Sequence, residues 1–183
     1  FTSDHGEMLG DHGLGGKGCR FYEGAVRVPF IISLPGRFEQ GVVAEGLTGL
    51  TDLAPTIAEL TELPRVKSHG HSLVPILTGT SDPESNHRYV RCEYYDTLDM
   101  QAPNGTGDRR ETWGTMYRDE RWKLIVHHSL GIGELYDLDN DPDEFENLWD
   151  AESTKSIRQN ICLESFNASI QRVDSGPPLI GRY

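Results

Sequence analysis

Cysteine is scarce in this chain: three residues, at positions 19, 92 and 162 of 183, share no local spacing. That excludes a disulfide framework and the clustered thiolate sites of small zinc modules. Long apolar runs are missing as well. No stretch of 18 or more apolar residues occurs, so nothing reads as a membrane-spanning helix. Basic residues are outnumbered, 17 Lys and Arg against 29 Asp and Glu, for a formal net charge of −12. A surface of that sign repels nucleic acid and anionic lipid, so neither is expected as a partner, and an anionic substrate requires a local basic pocket. No internal repeat or low-complexity tract is present. With 36% hydrophobic residues the chain can build one ordinary domain or parts of two.

What is present is concentrated near the start, in Asp4-His5-Gly6-Glu7, Gly10-Asp11-His12-Gly13 and Lys17. Carboxylates and imidazoles are the usual side-chain ligands of divalent cations, and Gly6 is expected to let the backbone turn so that both heads enter one site. Asp4 and His5 are therefore the candidate metal ligands. The same residues also suit an ordinary polar turn, with Asp4 capping the next segment and His5 on the surface. Lys17 is the candidate anion contact. Gly15, Gly16 and Gly18 let the chain bend around it, or else mark a surface loop on which it is merely solvated. His12 either donates to a bound anion or leaving group or is a satisfied structural histidine.

Patterning predicts an α/β layer followed by an antiparallel unit. Val26–Leu34 is rich in β-branched and aromatic residues, stops at Pro35-Gly36, and reads as a buried strand. Asp52 is expected to cap a helix that carries Pro55 in its first turn and runs through Ile57, Leu60 and Leu63 to Pro64. Loop formers fill Gly79–His87, and the boundary between residues 1–80 and 81–183 is placed there. Strands are expected at Tyr89–Tyr95, Trp113–Tyr117, Trp122–His128 and Leu135-Tyr136, with a loop at Ala102–Arg110. Residues 151–173 show helical spacing at Ile157, Ile161, Phe166 and Ile170.

Other polar groups point less far. His69 and His71 look like a metal pair but read better as loop surface. The acidic run Asp137, Asp139, Asp141, Asp143, Glu144 lacks the Gly and terminal Glu of a calcium loop and reads as a solvated turn. His127 and His128 are candidates to line a pocket from the second unit, or exposed strand-end residues. Asn104-Gly105-Thr106 and Asn167-Ala168-Ser169 fit the N-glycosylation pattern.

Residues 3–18, Ser-Asp-His-Gly-Glu-Met-Leu-Gly-Asp-His-Gly-Leu-Gly-Gly-Lys-Gly, resemble the C-terminal half of the type I sulfatases of the alkaline phosphatase superfamily. The likeness continues through Phe21-Tyr22-Glu23, Val26–Ile32, Thr51–Ile57, Gly70–Gly79, Trp122–Ile125 and Glu134–Pro142, in the family's order. It implies that 1–80 are the C-terminal portion of an alkaline-phosphatase-like α/β domain and 81–183 a small α+β subdomain with an antiparallel sheet and C-terminal helix. It implies further that Asp4 and His5 complete a calcium site and that Lys17 contacts the substrate's sulfate. By chemistry alone the Asp-His pair suits manganese or zinc equally. Gly15 and Gly24 stand where many relatives carry a Trp and a Glu.

The nucleophile of that family is a formylglycine made from Cys or Ser in a Cys/Ser-x-Pro/Ala-x-Arg motif. No such motif is read in this chain: Cys19 precedes Arg-Phe-Tyr-Glu, Cys92 Glu-Tyr-Tyr-Asp, and Cys162 Leu-Glu-Ser-Phe. The nucleophile is therefore expected outside this chain, which reads as a C-terminal fragment inactive by itself. The expected activity of the whole is hydrolysis of a carbohydrate, aryl or alkyl sulfate; a phosphonate or phosphate ester hydrolase of the same superfamily, or an inactive anion-binding fragment, are the alternatives. The resemblance implies a periplasmic, secreted or lysosomal setting.

Overall fold

The computed structural model describes residues 1–64, 67–84, 86–96, 112–128 and 130–173. Its helices are α1 (Glu23–Val26), α2 (Leu53–Leu60), α3 (Val74–Leu77) and α4 (Lys155–Gln171), with short 3-10 turns at Asp11–Gly13, Leu50–Asp52 and Glu152–Thr154. Its strands, β1 (Val90–Asp96), β2 (Thr112–Arg118), β3 (Trp122–His127) and β4 (Ile132–Asp137), form one antiparallel meander in chain order. The four strands expected after residue 88 thus stand within a few residues of their read positions. Among the described residues no helix is long and apolar enough to cross a membrane. The loop at 102–110 and the sequon at Asn104 lie outside the described residues, whereas Asn167 stands on an exposed face of α4.

Both faces of the sheet are covered, which is why β3 reads as a nearly unbroken apolar run rather than an alternating one. On one face Tyr117, Leu124 and Leu135 pack against Ile161 and Ala168 of α4. On the other Met116, Ile125 and Tyr136 pack against Phe21. Gly114 makes that second contact feasible: a Cβ there would fall 2.7 Å from the Phe21 ring. Of the four expected apolar positions of α4, Ile157 and Ile161 face the sheet, while Phe166 and Ile170 are exposed.

Val26–Leu34 does not form the expected buried strand. Val26 ends α1, a single antiparallel bridge joins Thr2 to Phe30, and Ile31 is largely exposed. Pro29 has no N–H to give a ladder, and the segment's one extended neighbour among the described residues is the short run at 1–3.

Asp52 occupies the N-cap position of α2 without capping it through its side chain. Its wholly buried carboxylate turns back instead, accepting the N–H groups of Gly49 (3.0 Å) and His71 (2.7 Å) and holding His87 Nε2 at 2.8 and 2.9 Å. The exposed His71 ring stacks on that of His87 at 4.4 Å. Burial alone would raise the Asp52 pKa, but the His87 hydrogen bond and the two backbone N–H groups outweigh it and hold the carboxyl below its ordinary value. Its stabilisation is therefore present above the unfolded aspartate pKa and lost as pH falls through the lower folded value. Asp52→Asn is expected to cost about 2–4 kcal/mol in urea unfolding at pH 7 and to flatten the acid loss of stability. An unchanged transition midpoint would show that the carboxylate contributes nothing.

The acidic turn corrects another expectation. Asp139 and Asp143 are solvated, but Asp137 and Glu144 are buried. Asp137 receives both arms of the Arg121 guanidinium at 2.8 and 2.7 Å, which holds its carboxyl below the usual range. Glu144 pairs with Lys123 of β3.

Candidate active site

The run 1–6 is pinned from two sides. Phe1 and Ile31 exchange backbone hydrogen bonds of 2.7 and 2.9 Å, and the Gly6 N–H donates to Ala25 C=O at 2.8 Å. The second contact explains Gly6, although not by a special turn. A Cβ there would lie 2.0 Å from the Gly24 carbonyl oxygen, so only glycine permits the approach.

Asp4 and His5 stand side by side and exposed, with Nε2 of the imidazole 3.8 Å from Asp4 Oδ2. The His5 N–H donates to Asp4 Oδ1 at 3.0 Å, and Ser3 Oγ donates to His5 C=O at 2.6 Å. His5 Nδ1 lies 2.7 Å from Gly6 C=O, a carbonyl that can only accept. That bond assigns a ring proton to Nδ1 and leaves Nε2 as the ring nitrogen near Asp4 Oδ2. The His5 ring and then the backbone N–H groups hold the Asp4 carboxyl below its ordinary value. The donor set therefore fits a divalent cation, and these two residues would hold it. Among the described residues no group of three or more His, Cys, Asp or Glu is arranged to do so.

Lys17 lies on a separate part of the segment, its Nζ 5.8 Å from the centroid of the Tyr94 ring on β1. Among the described residues it has no carboxylate partner, so its charge is open to an anion. His12 sits elsewhere again, in the left-handed backbone region (φ 53°), its ring stacked between Tyr22 at 4.1 Å and Phe145 at 4.8 Å. The structure thus joins Asp4 with His5, while His12 packs on Tyr22 and Phe145 and Lys17 on Tyr94.

Sequence reading missed what fixes the segment behind Lys17. Lys123 is fully buried on β3 and pairs with Glu23 of α1 at 2.8 Å and with Glu144 at 2.6 Å. Glu144 Oε2 also accepts the Glu23 N–H at 2.6 Å. The one local signal was a lysine inside the apolar run Trp-Lys-Leu-Ile-Val. Burial pushes both carboxyls up, but Lys123, Arg118 and Arg27 outweigh it at Glu23, whose pKa is net lowered, while that of Glu144 stays raised. With Phe21 in the Gly114 notch, this network holds the chain that carries Lys17 against the sheet.

His127 is mostly covered and engaged, its Nε2 2.9 Å from Glu134 Oε1, while the Tyr136 hydroxyl donates to Glu134 Oε2 at 2.8 Å. His128 is exposed and bonds Thr115 Oγ1 at 2.8 Å. The expectation that no such motif occurs is corrected by one pentapeptide, Ser33-Leu34-Pro35-Gly36-Arg37, which meets the Ser-x-Pro-x-Arg pattern in letters. In the fold it is an exposed turn closed by Arg37 N–H to Leu34 C=O (3.1 Å), with Gly36 at φ 81°, and turn geometry accounts for its Pro-Gly pair.

The four-stranded antiparallel sheet with its C-terminal helix, on a chain that also carries the Asp-His-Gly segment, belongs to the alkaline-phosphatase-like sulfatase fold. Residues 10–170 match the family described as N-sulphoglucosamine sulphohydrolase, C-terminal, and the chain belongs to that family. It is 36% identical over 174 residues to a choline-sulfatase of Rhizobium meliloti, covering 91% of this chain and 29% of that one. A solved structure in complex with its substrate D-glucosamine-2-N,6-O-disulfate superposes with a TM-score of 0.79 at 25% identity, over 96% of this chain and 34% of the other. A phosphonate monoester hydrolase from Silicibacter pomeroyi gives 0.80 at 28% identity, over 95% and 35%. The chain spans between 18% and 32% of the length of these curated relatives.

Proposed function

We propose that this chain is the C-terminal part of a sulfuric ester hydrolase acting on a sulfated carbohydrate or a small aryl or alkyl sulfate, with a formylglycine nucleophile outside residues 1–183. The observation that carries the reading is the exposed Asp4–His5 pair, with Nε2 3.8 Å from Asp4 Oδ2, on the same short segment as Lys17, an ammonium without a carboxylate partner among the described residues. Asp4 and His5 would hold a calcium ion, with manganese or zinc as alternatives, and a bound cation supplies positive charge beside sulfate oxygens. Lys17 supplies a second, fixed positive charge, stabilising the oxygens of the transferred sulfuryl group as the ester bond breaks. The relatives named as sulfatases, and the neighbour holding a disulfated glucosamine, support sulfate rather than phosphonate.

Lys17→Ala in the full-length enzyme is expected to lower kcat/KM for a chromogenic aryl sulfate on the order of 10²–10³-fold. Lys17→Arg should recover only part, since a planar fork delivers its charge differently from a compact ammonium. A folded Lys17→Ala enzyme with unchanged kcat/KM removes Lys17 from the site. Faster turnover of a phosphonate monoester than of the sulfate, measured in parallel, favours the phosphonate reading, which the likeness to phosphonate monoester hydrolases keeps in view.

A further inference from the structure

Helix α4 carries a second apolar side, turned away from the sheet. Leu163, Phe166, Ile170 and, just past the helix end, Val173 are 58% to 63% exposed. Their 3-4-3 spacing sets them in one stripe, the seam by which a helix pairs with another helix. Ile161 and Ala168 already pack α4 on the sheet, so its own fold does not require this stripe. The exposed positions around it, Ser156, Gln159, Asn160, Asn167 and Gln171, are all uncharged. The three charged residues between Ser156 and Val173 are engaged by the body instead. Arg158 donates to Trp149 C=O, Glu164 accepts from Arg88 and the Tyr117 hydroxyl, and Arg172 lies over the Tyr89 ring and donates to His69 C=O. One face of α4 is thus free of charge in a chain of which 25% is charged.

We propose that this face pairs with its counterpart on a second copy of the protein, about a two-fold axis that sets the two α4 helices side by side. Charge decides between occupants. At a net −12, two copies repel over most of their surface, and a self-complementary contact is favoured where neither brings charge. A charge-depleted apolar centre is also what distinguishes the core of an interface from ordinary surface. The rest of the polypeptide is the poorer occupant. Phe21, on the segment that carries Asp4 and Lys17, packs on the opposite face of the sheet, so a body built on that segment leaves the stripe free. The four side chains offer roughly 400 Å² per copy, about half a standard interface, which fits a reversible dimer with a Kd on the order of 10–100 µM.

Sedimentation velocity of the full-length enzyme, at concentrations on either side of that Kd, tests this without any turnover, so the result is independent of the sulfatase reading. A concentration-dependent dimer is expected. Two double variants, Phe166→Glu with Ile170→Glu and Phe166→Lys with Ile170→Lys, should each weaken it more than about tenfold, because like charges then meet across the axis whichever way the helices run. Mixed together, the two variants should pair again, since Glu then meets Lys. Both positions are exposed, so circular dichroism should not change. Should either variant fold poorly, Asn167→Glu, an exposed position on the same face, gives the same weakening by itself. A wild-type enzyme that is monomeric at every concentration overturns the proposal, as does a dimer indifferent to all these substitutions or a pair of variants that stay apart when mixed. So does a monomer whose melting temperature falls in both double variants, the sign that another part of the same molecule covers the stripe.

Discussion

Lys123→Met is expected to destabilise the protein by about 3–5 kcal/mol in denaturant unfolding, because it strands two buried carboxylates that share one buried ammonium. Methionine fills similar volume, so packing loss is minor and the charge is what disappears. The nearest remaining cations are Arg118 and Arg27, 3.9 and 4.0 Å from Glu23, and neither reaches Glu144. The sign of the pH dependence separates this from a generic packing defect. In the variant both carboxyls have raised folded pKa values, so the stability they contribute is present below the unfolded glutamate pKa and lost as pH rises through the folded one. The deficit relative to wild type is therefore expected to shrink between pH 7 and pH 5. A pH-independent deficit would assign the loss to packing. The triple variant Lys123→Met, Glu23→Gln, Glu144→Gln should recover most of the stability, since a network removed whole leaves no orphaned charge.

This network also marks the limit of what local sequence carries. Strands β1 to β4 and α4 were legible because period-2 and period-3.6 patterns arise within a few residues. Lys123 and Glu23, by contrast, are 100 positions apart, and the Glu23 N–H reaches an acceptor 121 positions on. No local pattern distinguishes such a lysine from a solvated one, and Glu144 looked like part of a polar turn for the same reason. Asp52 was read as a helix cap from its position, correct for the backbone; its carboxylate went to His71 and His87 because those donors arrive from 19 and 35 residues away. Val26–Leu34 had strand composition, but composition reports fitness for a sheet and not the presence of a neighbour to pair with. Asp4 and His5 were legible as a pair because adjacency alone brings them together. The reason for Gly6, a carbonyl 18 residues away, was not.

That adjacency supports the remaining large effect. In the full-length enzyme, Asp4→Ala is expected to lower calcium-dependent sulfate ester hydrolysis by more than about 10²-fold, beyond the usual cost of losing an outer-shell partner. The side chain is exposed and its hydrogen bonds are to its own neighbours, Ser3 and the His5 N–H, so circular dichroism and melting temperature should hardly change. Loss of activity with an intact fold is what a ligand role requires. Asp4→Asn keeps an oxygen but removes the charge, and should fall between wild type and Asp4→Ala. His5→Ala should raise the calcium needed for half-maximal activity with a smaller loss at saturation, because the imidazole is the neutral, softer member of the pair. Titrating each variant with calcium, and repeating the series with manganese and zinc, reads both effects at once. Unchanged metal dependence in Asp4→Ala would take Asp4 out of the ligand set.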